Sequence, residues 1–113
     1  AAAWGATQDA SQDFLAAIQE VEAALATEEG SLAALAAREE QVEAASLAFE
    51  EGRSRYMDGL DSYLNVLTSL SALQGAQLAR LQARRDVLAA GLQLRQALAG
   101  PWTRRLADRG ETP

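Results

Sequence analysis

Apolar residues recur along this chain at steps of three and four. Phe14, Val21, Leu35, Val42, Phe49 and Tyr56 lie at multiples of seven, and Ile18, Leu25, Leu32 and Leu60 form a second set offset by four. Such a heptad pattern marks helices that wind around one another with a left-handed supercoil. It predicts a first helix over 12–58, behind an Ala-rich lead-in at 1–11 where Asp9 or Ser11 offers a cap. Glu28, Glu39, Ser46 and Arg53 are polar lapses in the stripe and weaken it toward its end. Ala17, Ala24, Ala34, Ala45 and Ala48 form a further face of small residues, which lets another helix approach closely.

A second helix is predicted over 62–99, with two adjacent apolar stripes. One is Tyr63, Val66, Leu70, Leu73, Val87, Leu94 and Leu98; the other is Leu64, Leu67, Leu78, Leu81, Leu88 and Leu92. A single partner helix covers only one of them well, so this pair expects neighbours on both sides. Between the helices lies Arg55-Tyr56-Met57-Asp58-Gly59-Leu60-Asp61-Ser62. Gly59 suits the left-handed residue that ends a helix, because it has no Cβ to clash. Asp61 or Ser62 suits the N-cap of the next helix, with an oxygen free to accept a backbone N–H. Gly100-Pro101 predicts a stop, and 103–113 reads as a disordered polar tail.

The expected fold is therefore all-α: a long antiparallel two-helix coiled-coil hairpin with its tip near Gly59, at residues 59–61. At 1.5 Å per residue its arms are about 55–65 Å long. Pairing about the tip sets Phe49 near Leu70, Val42 near Gln77 and Val21 near Leu98. The alternative is a three-helix bundle broken at Gly30, since Glu28-Glu29-Gly30-Ser31 holds both a stop and a cap. The heptad passes Gly30 in phase, from Val21 to Leu35 and from Leu25 to Leu32, which favours one continuous helix.

Composition narrows the function. Of 113 residues 49% are hydrophobic, but Ala supplies much of that share and aromatics are only 5%. That balance suits a thin helical seam better than a bulky globular core. No cysteine and no histidine are present, which removes thiolate metal sites, disulfides and the commonest general base. No nucleophile–base pair, metal cluster or phosphate loop can be assembled, so neither an enzyme nor a cofactor is expected. A net charge of −6 argues against a nucleic-acid partner. No apolar run approaches the roughly 20 residues of a membrane helix, so no direct membrane span is expected.

Three blocks resemble one known family, the TolC-type outer-membrane channels of bacterial efflux and type I secretion. Residues 17–25, AIQEVEAAL, are similar to its "AxxEVxxAL" helix start; residues 55–67, RYMDGLDSYLNVL, to its "RYxxGxxSYLxVL" turn; residues 97–102, ALAGPW, to its closing "ALGGGW". Their order and spacing agree over most of the chain, from about Phe14 to Trp102. The resemblance implies the second periplasmic α-hairpin of a trimeric channel, within the periplasmic part of a bacterial outer-membrane protein. By position it carries Arg55 and Tyr56 onto the family's gate, and Gly59, Leu60, Asp61 and Ser62 onto the turn that meets a periplasmic adaptor (membrane fusion) protein. Implied partners are the adaptor hairpins and the other hairpins of the channel. Thr68 departs from the family's aspartate, and Gly30, Gly52 and Pro101 depart from its usual pattern.

From the residues alone, Arg55 is an ordinary arginine near a helix C-terminus and Tyr56 a last seam residue. The pairs Glu28-Glu29, Glu39-Glu40 and Glu50-Glu51 read as solvated helix surface. Arg80, Arg84 and Arg85 are expected to pair with Glu39 and Glu40 across the hairpin. The uncovered leucines predict self-association of the chain. A generic coiled-coil scaffold or spacer without a transport role is the competing function.

Overall fold

The computed structural model describes residues 2–110, with side chains over 4–100. Two helices make up the fold: α1, Ala2–Met57, and α2, Tyr63–Gly110. They form an antiparallel hairpin that reverses over 58–62, as the turn residues predict. The chain divides into two compact units, Ala1–Gly30 with Leu88–Pro113, and Ser31–Val87.

α1 starts ten residues before the predicted 12, at Ala2. The Ala-rich lead-in carries the highest helix propensity available, and it extends the helix upstream. The helix is continuous through Gly30, so the three-helix alternative falls. One glycine costs a helix roughly 1 kcal/mol, too little to break a heptad that stays in phase. α2 likewise runs on past Gly100 and Pro101 to Gly110, where the sequence predicts a stop and a polar tail without structure. Pro101 has no N–H for the Ala97 carbonyl, so the helix passes it one bond short. Good helix formers on both sides, Ala97-Leu98-Ala99 and Arg104-Arg105-Leu106-Ala107, carry the backbone through. Residues 111–113 of the predicted tail lie outside the described residues.

The tip-proximal unit is built on a heptad seam. On α1 its positions are Leu35, Val42 and Phe49, with Ser31 four residues before Leu35 and Ala45 and Gly52 three residues after Val42 and Phe49. On α2 they are Val66, Leu73, Arg80 and Val87, alternating with Ser69, Ala76 and Ala83. Val42, Val66, Ala76 and Ala83 are buried, Ala76 to 3% exposure. The other unit repeats the pattern, with Ala24 and Ala90 buried and Ala17, Val21, Leu94 and Ala97 half-buried.

One expectation is corrected here. The set offset by four, Ile18, Leu25, Leu32 and Leu60, is exposed, and the seam uses the small residues offset by three. A step of three or of four keeps the same period, and small side chains on both helices let the backbones come close. At Gly52 a Cβ would meet the Ser69 hydroxyl at 3.5 Å. The register differs slightly from expectation too. Gln77 and Leu98 are exposed, and their neighbours Ala76 and Ala97 take the seam positions.

Arg80, Arg84 and Arg85 form no ion pair with Glu39 or Glu40 among the described residues. Holding two long side chains in one geometry on open surface returns little, about 0–1 kcal/mol. No described helix is long and apolar enough to cross a membrane.

Three substitutions test this packing by urea unfolding followed by circular dichroism. Gly30→Ala meets nothing within 4 Å, so it raises stability by roughly 1 kcal/mol. Ala76→Leu overfills the seam and lowers stability by about 1–3 kcal/mol. Leu47→Ala, on exposed surface, changes it by no more than about 0.5 kcal/mol.

Candidate functional site: the hairpin tip

The tip is built by two helix ends that satisfy their own orphan backbone groups. At the end of α1 the Gly59 N–H donates to the Tyr56 carbonyl at 3.0 Å, and the Leu60 N–H to the Arg55 carbonyl at 2.8 Å. This nested pair is the Schellman arrangement, which needs a left-handed residue at its centre. Gly59 supplies it with φ of +75°. An apolar residue after such a glycine usually folds back onto the last helical turn. Here Leu60 points away, 78% exposed, and Met57 beside it is exposed as well.

α2 opens with Ser62 as its N-cap. The Asn65 N–H donates to the Ser62 hydroxyl at 3.4 Å. Asp61 holds the cap from outside: its Oδ1 accepts the Ser62 N–H at 2.8 Å and the Asn65 Nδ2 at 2.5 Å. The hydrogen bond from the Asn65 side chain, then that from the Ser62 backbone, hold the Asp61 carboxyl below the ordinary carboxylate range, with a smaller contribution from the Arg55 charge. Asp61 is therefore ionised at neutral pH. Ser62 and Asp61 thus share the role that sequence left open between them.

Arg55 Nη2 bonds Glu51 Oε1 at 3.1 Å, one turn back on α1, with both side chains exposed. Arg55, Glu51, Gly52, Ala48, Asp61 and Ser69 line an open depression of about 210 Å³. Tyr56 does not share it; its ring packs against Tyr63 with centroids 5.6 Å apart and planes tilted by 51°. Such an aromatic pair adds about 0.5–1.5 kcal/mol and ties the two helix ends together. Of the six residues the sequence singles out, the structure thus joins Arg55 and Asp61 electrostatically, places Tyr56 on the aromatic bridge, and leaves Leu60 outermost.

Sequence reasoning missed Asn65 as a capping residue and placed Tyr63 only in the apolar stripe of α2, not at the tip. Asn65 stands three residues after Ser62, where a capping box carries its polar partner, and that spacing was its signal. Thr68 spends its hydroxyl on its own helix, bonding the Leu64 carbonyl at 2.9 Å. Ser69 does the same with the Asn65 carbonyl at 3.0 Å.

Two outcomes are expected at the tip. Gly59→Ala forces a Cβ into the left-handed region and costs about 1–2 kcal/mol in unfolding free energy. A carboxyl with a depressed folded value stabilises above its ordinary value of 3.8 and loses that support as pH falls through the lowered one. The stability gap between the natural chain and Asp61→Asn should be constant at neutral pH and should close in acid below that range. Thermal melts across the acid limb measure it.

Among the described residues no group of three carboxylate, thiol or imidazole side chains lies together as a metal site. The arrangement offers hydrogen bonding, charge and exposed apolar surface on a rigid turn. Compared with known proteins, the chain matches no family model, no curated protein and no solved structure.

Proposed function

We propose that this chain is part of the periplasmic α-helical tunnel of an outer-membrane efflux or type I secretion channel, and that its tip docks a periplasmic adaptor. The observation that carries this reading is the tip itself. A reversal capped on both helix ends presents Leu60 outward beside an ionised Asp61. Those are the positions that the resembling turn motif assigns to the adaptor. A preorganised, rigid turn loses little entropy on docking, and an exposed leucine beside a fixed charge gives a partner both apolar area and orientation.

The uncovered leucines of α2 support a wall built from many hairpins, since a tunnel needs neighbours on both sides of each helix pair. In this reading Arg55 and Tyr56 take part in the gate. Glu51 holds Arg55 by a single exposed ion pair, which costs little to exchange for a contact with another hairpin. The same ion pair favours the second reading, a scaffold hairpin without transport, in which Arg55 simply stabilises the end of α1.

Binding to an adaptor hairpin separates the two readings. The probe is a periplasmic adaptor hairpin of the kind that meets TolC-type channels, held on a surface while the chain flows over it. Leu60→Ala and Asp61→Arg should each weaken binding at least about tenfold, a loss of roughly 1.4 kcal/mol. Leu47→Ala, remote from the tip, should leave binding unchanged. No binding by the natural chain, or equal binding by all variants, supports the scaffold.

A further inference from the structure

The tip-proximal unit leaves one face of α2 open. Leu64 is 71% exposed, Leu67 41%, Leu78 58% and Leu81 47%. Ser71 and Gln74, also exposed, lie between them in the same row. The row 64, 67, 71, 74, 78, 81 advances by alternating steps of three and four, so it is a second heptad stripe on the same helix. Leu78 and Leu81 each stand two residues from a buried alanine, Ala76 and Ala83. At about 100° of rotation per residue they point away from the intramolecular seam.

In its pattern of apolar and polar positions this stripe reads the same in both directions. About the Ala72–Leu73 peptide, Leu64 mirrors Leu81, Leu67 mirrors Leu78 and Ser71 mirrors Gln74. An isologous two-fold interface requires such self-complementarity, each position meeting its mirror on the other subunit. A foreign helix imposes no such symmetry. Charge points the same way. Exposed Arg84 and Arg85 lie just beyond Leu81, and the acidic Asp58 and Asp61 just before Leu64. Antiparallel pairing brings each basic end beside the other copy's acidic tip, whereas parallel pairing stacks like on like.

We propose that a second copy of this chain covers the open face of α2, antiparallel. Leu64 packs against Leu81 and Leu67 against Leu78 of the second copy, the polar Ser71–Gln74 pair sits at the centre, and Arg84 faces Asp61 at each end. The polar centre fixes register: sliding by one heptad sets Ser71 and Gln74 against leucines and leaves them unpaired. The proposal does not rest on the channel reading: the tips of the paired copies point in opposite directions, so this pair and a tunnel wall would compete for the same leucines.

Disulfide mapping tests it, because the natural chain has no cysteine. Leu64→Cys and Leu81→Cys chains are mixed in equal amounts and oxidised mildly. The mixed disulfide should dominate, since in this arrangement two Leu64 positions lie about 25 Å apart along the axis. Dominant homodisulfides, or cross-linking no greater than that of a Leu47→Cys control on α1, overturn the proposal. Sedimentation equilibrium gives a second reading. The natural chain should run at twice its mass at high concentration. The double variant Leu67→Glu, Leu78→Glu should keep its helical circular dichroism and raise the dimer dissociation constant at least about tenfold. A natural chain that stays at single mass at high concentration, or a variant that stays dimeric, also overturns it.

Discussion

Close approach of two backbones is the constraint on which this structure depends. Alanine, serine or glycine recurs on both helices at heptad spacing: Ala17, Ala24, Ser31, Ala45 and Gly52 on α1, interrupted only by Arg38, and Ser69, Ala76, Ala83, Ala90 and Ala97 on α2. These small groups remove little apolar surface each, at roughly 25 cal/mol per Å². They allow the larger residues beside them, Val42 and Val66 above all, to reach the opposite helix. Leucines at the remaining positions, Leu25, Leu32, Leu64, Leu78 and Leu81 among them, are left in water. A thin interior and an apolar exterior thus come from one cause.

The tip obeys a different rule. It holds its shape through hydrogen bonds rather than burial. Gly59 closes α1, Ser62 opens α2, and Asp61 with Asn65 locks the opening from outside. Because these bonds satisfy the helix ends locally, no apolar side chain is needed to plug the turn. Leu60 and Met57 are therefore free to face outward. The proposed docking role uses that freedom, with Asp61 serving both the cap and the charge seen by a partner.

Much of this architecture was legible in the residues. A heptad in phase through Gly30 pointed to one long helix, and Gly59 followed by Asp61-Ser62 pointed to the reversal. What escaped was choice among equals. A repeat of seven accommodates partners three or four residues on, so periodicity could not prefer Ala24 over Leu25; only packing against a second helix of small residues decides. Pro101 reads locally as a stop, but the helix formers on both sides of it outweigh that signal. The Arg80–Glu39 type of pairing failed because similar height on two helices does not bring charged ends together. At the site, the types of the capping residues were readable, but the Asn65 bond to Asp61 depends on how the turn aims the two side chains at each other.

The short reversal at 58–62 also bears on how the chain folds. Contacts beside the turn close the smallest loops, and loop-closure entropy grows with the length enclosed. Segments on either side of Gly59 therefore meet first, and pairing then zips outward residue by residue toward the termini. A chain of this kind acquires order from its bend, and its nucleus begins at a turn held by hydrogen bonds rather than by buried side chains.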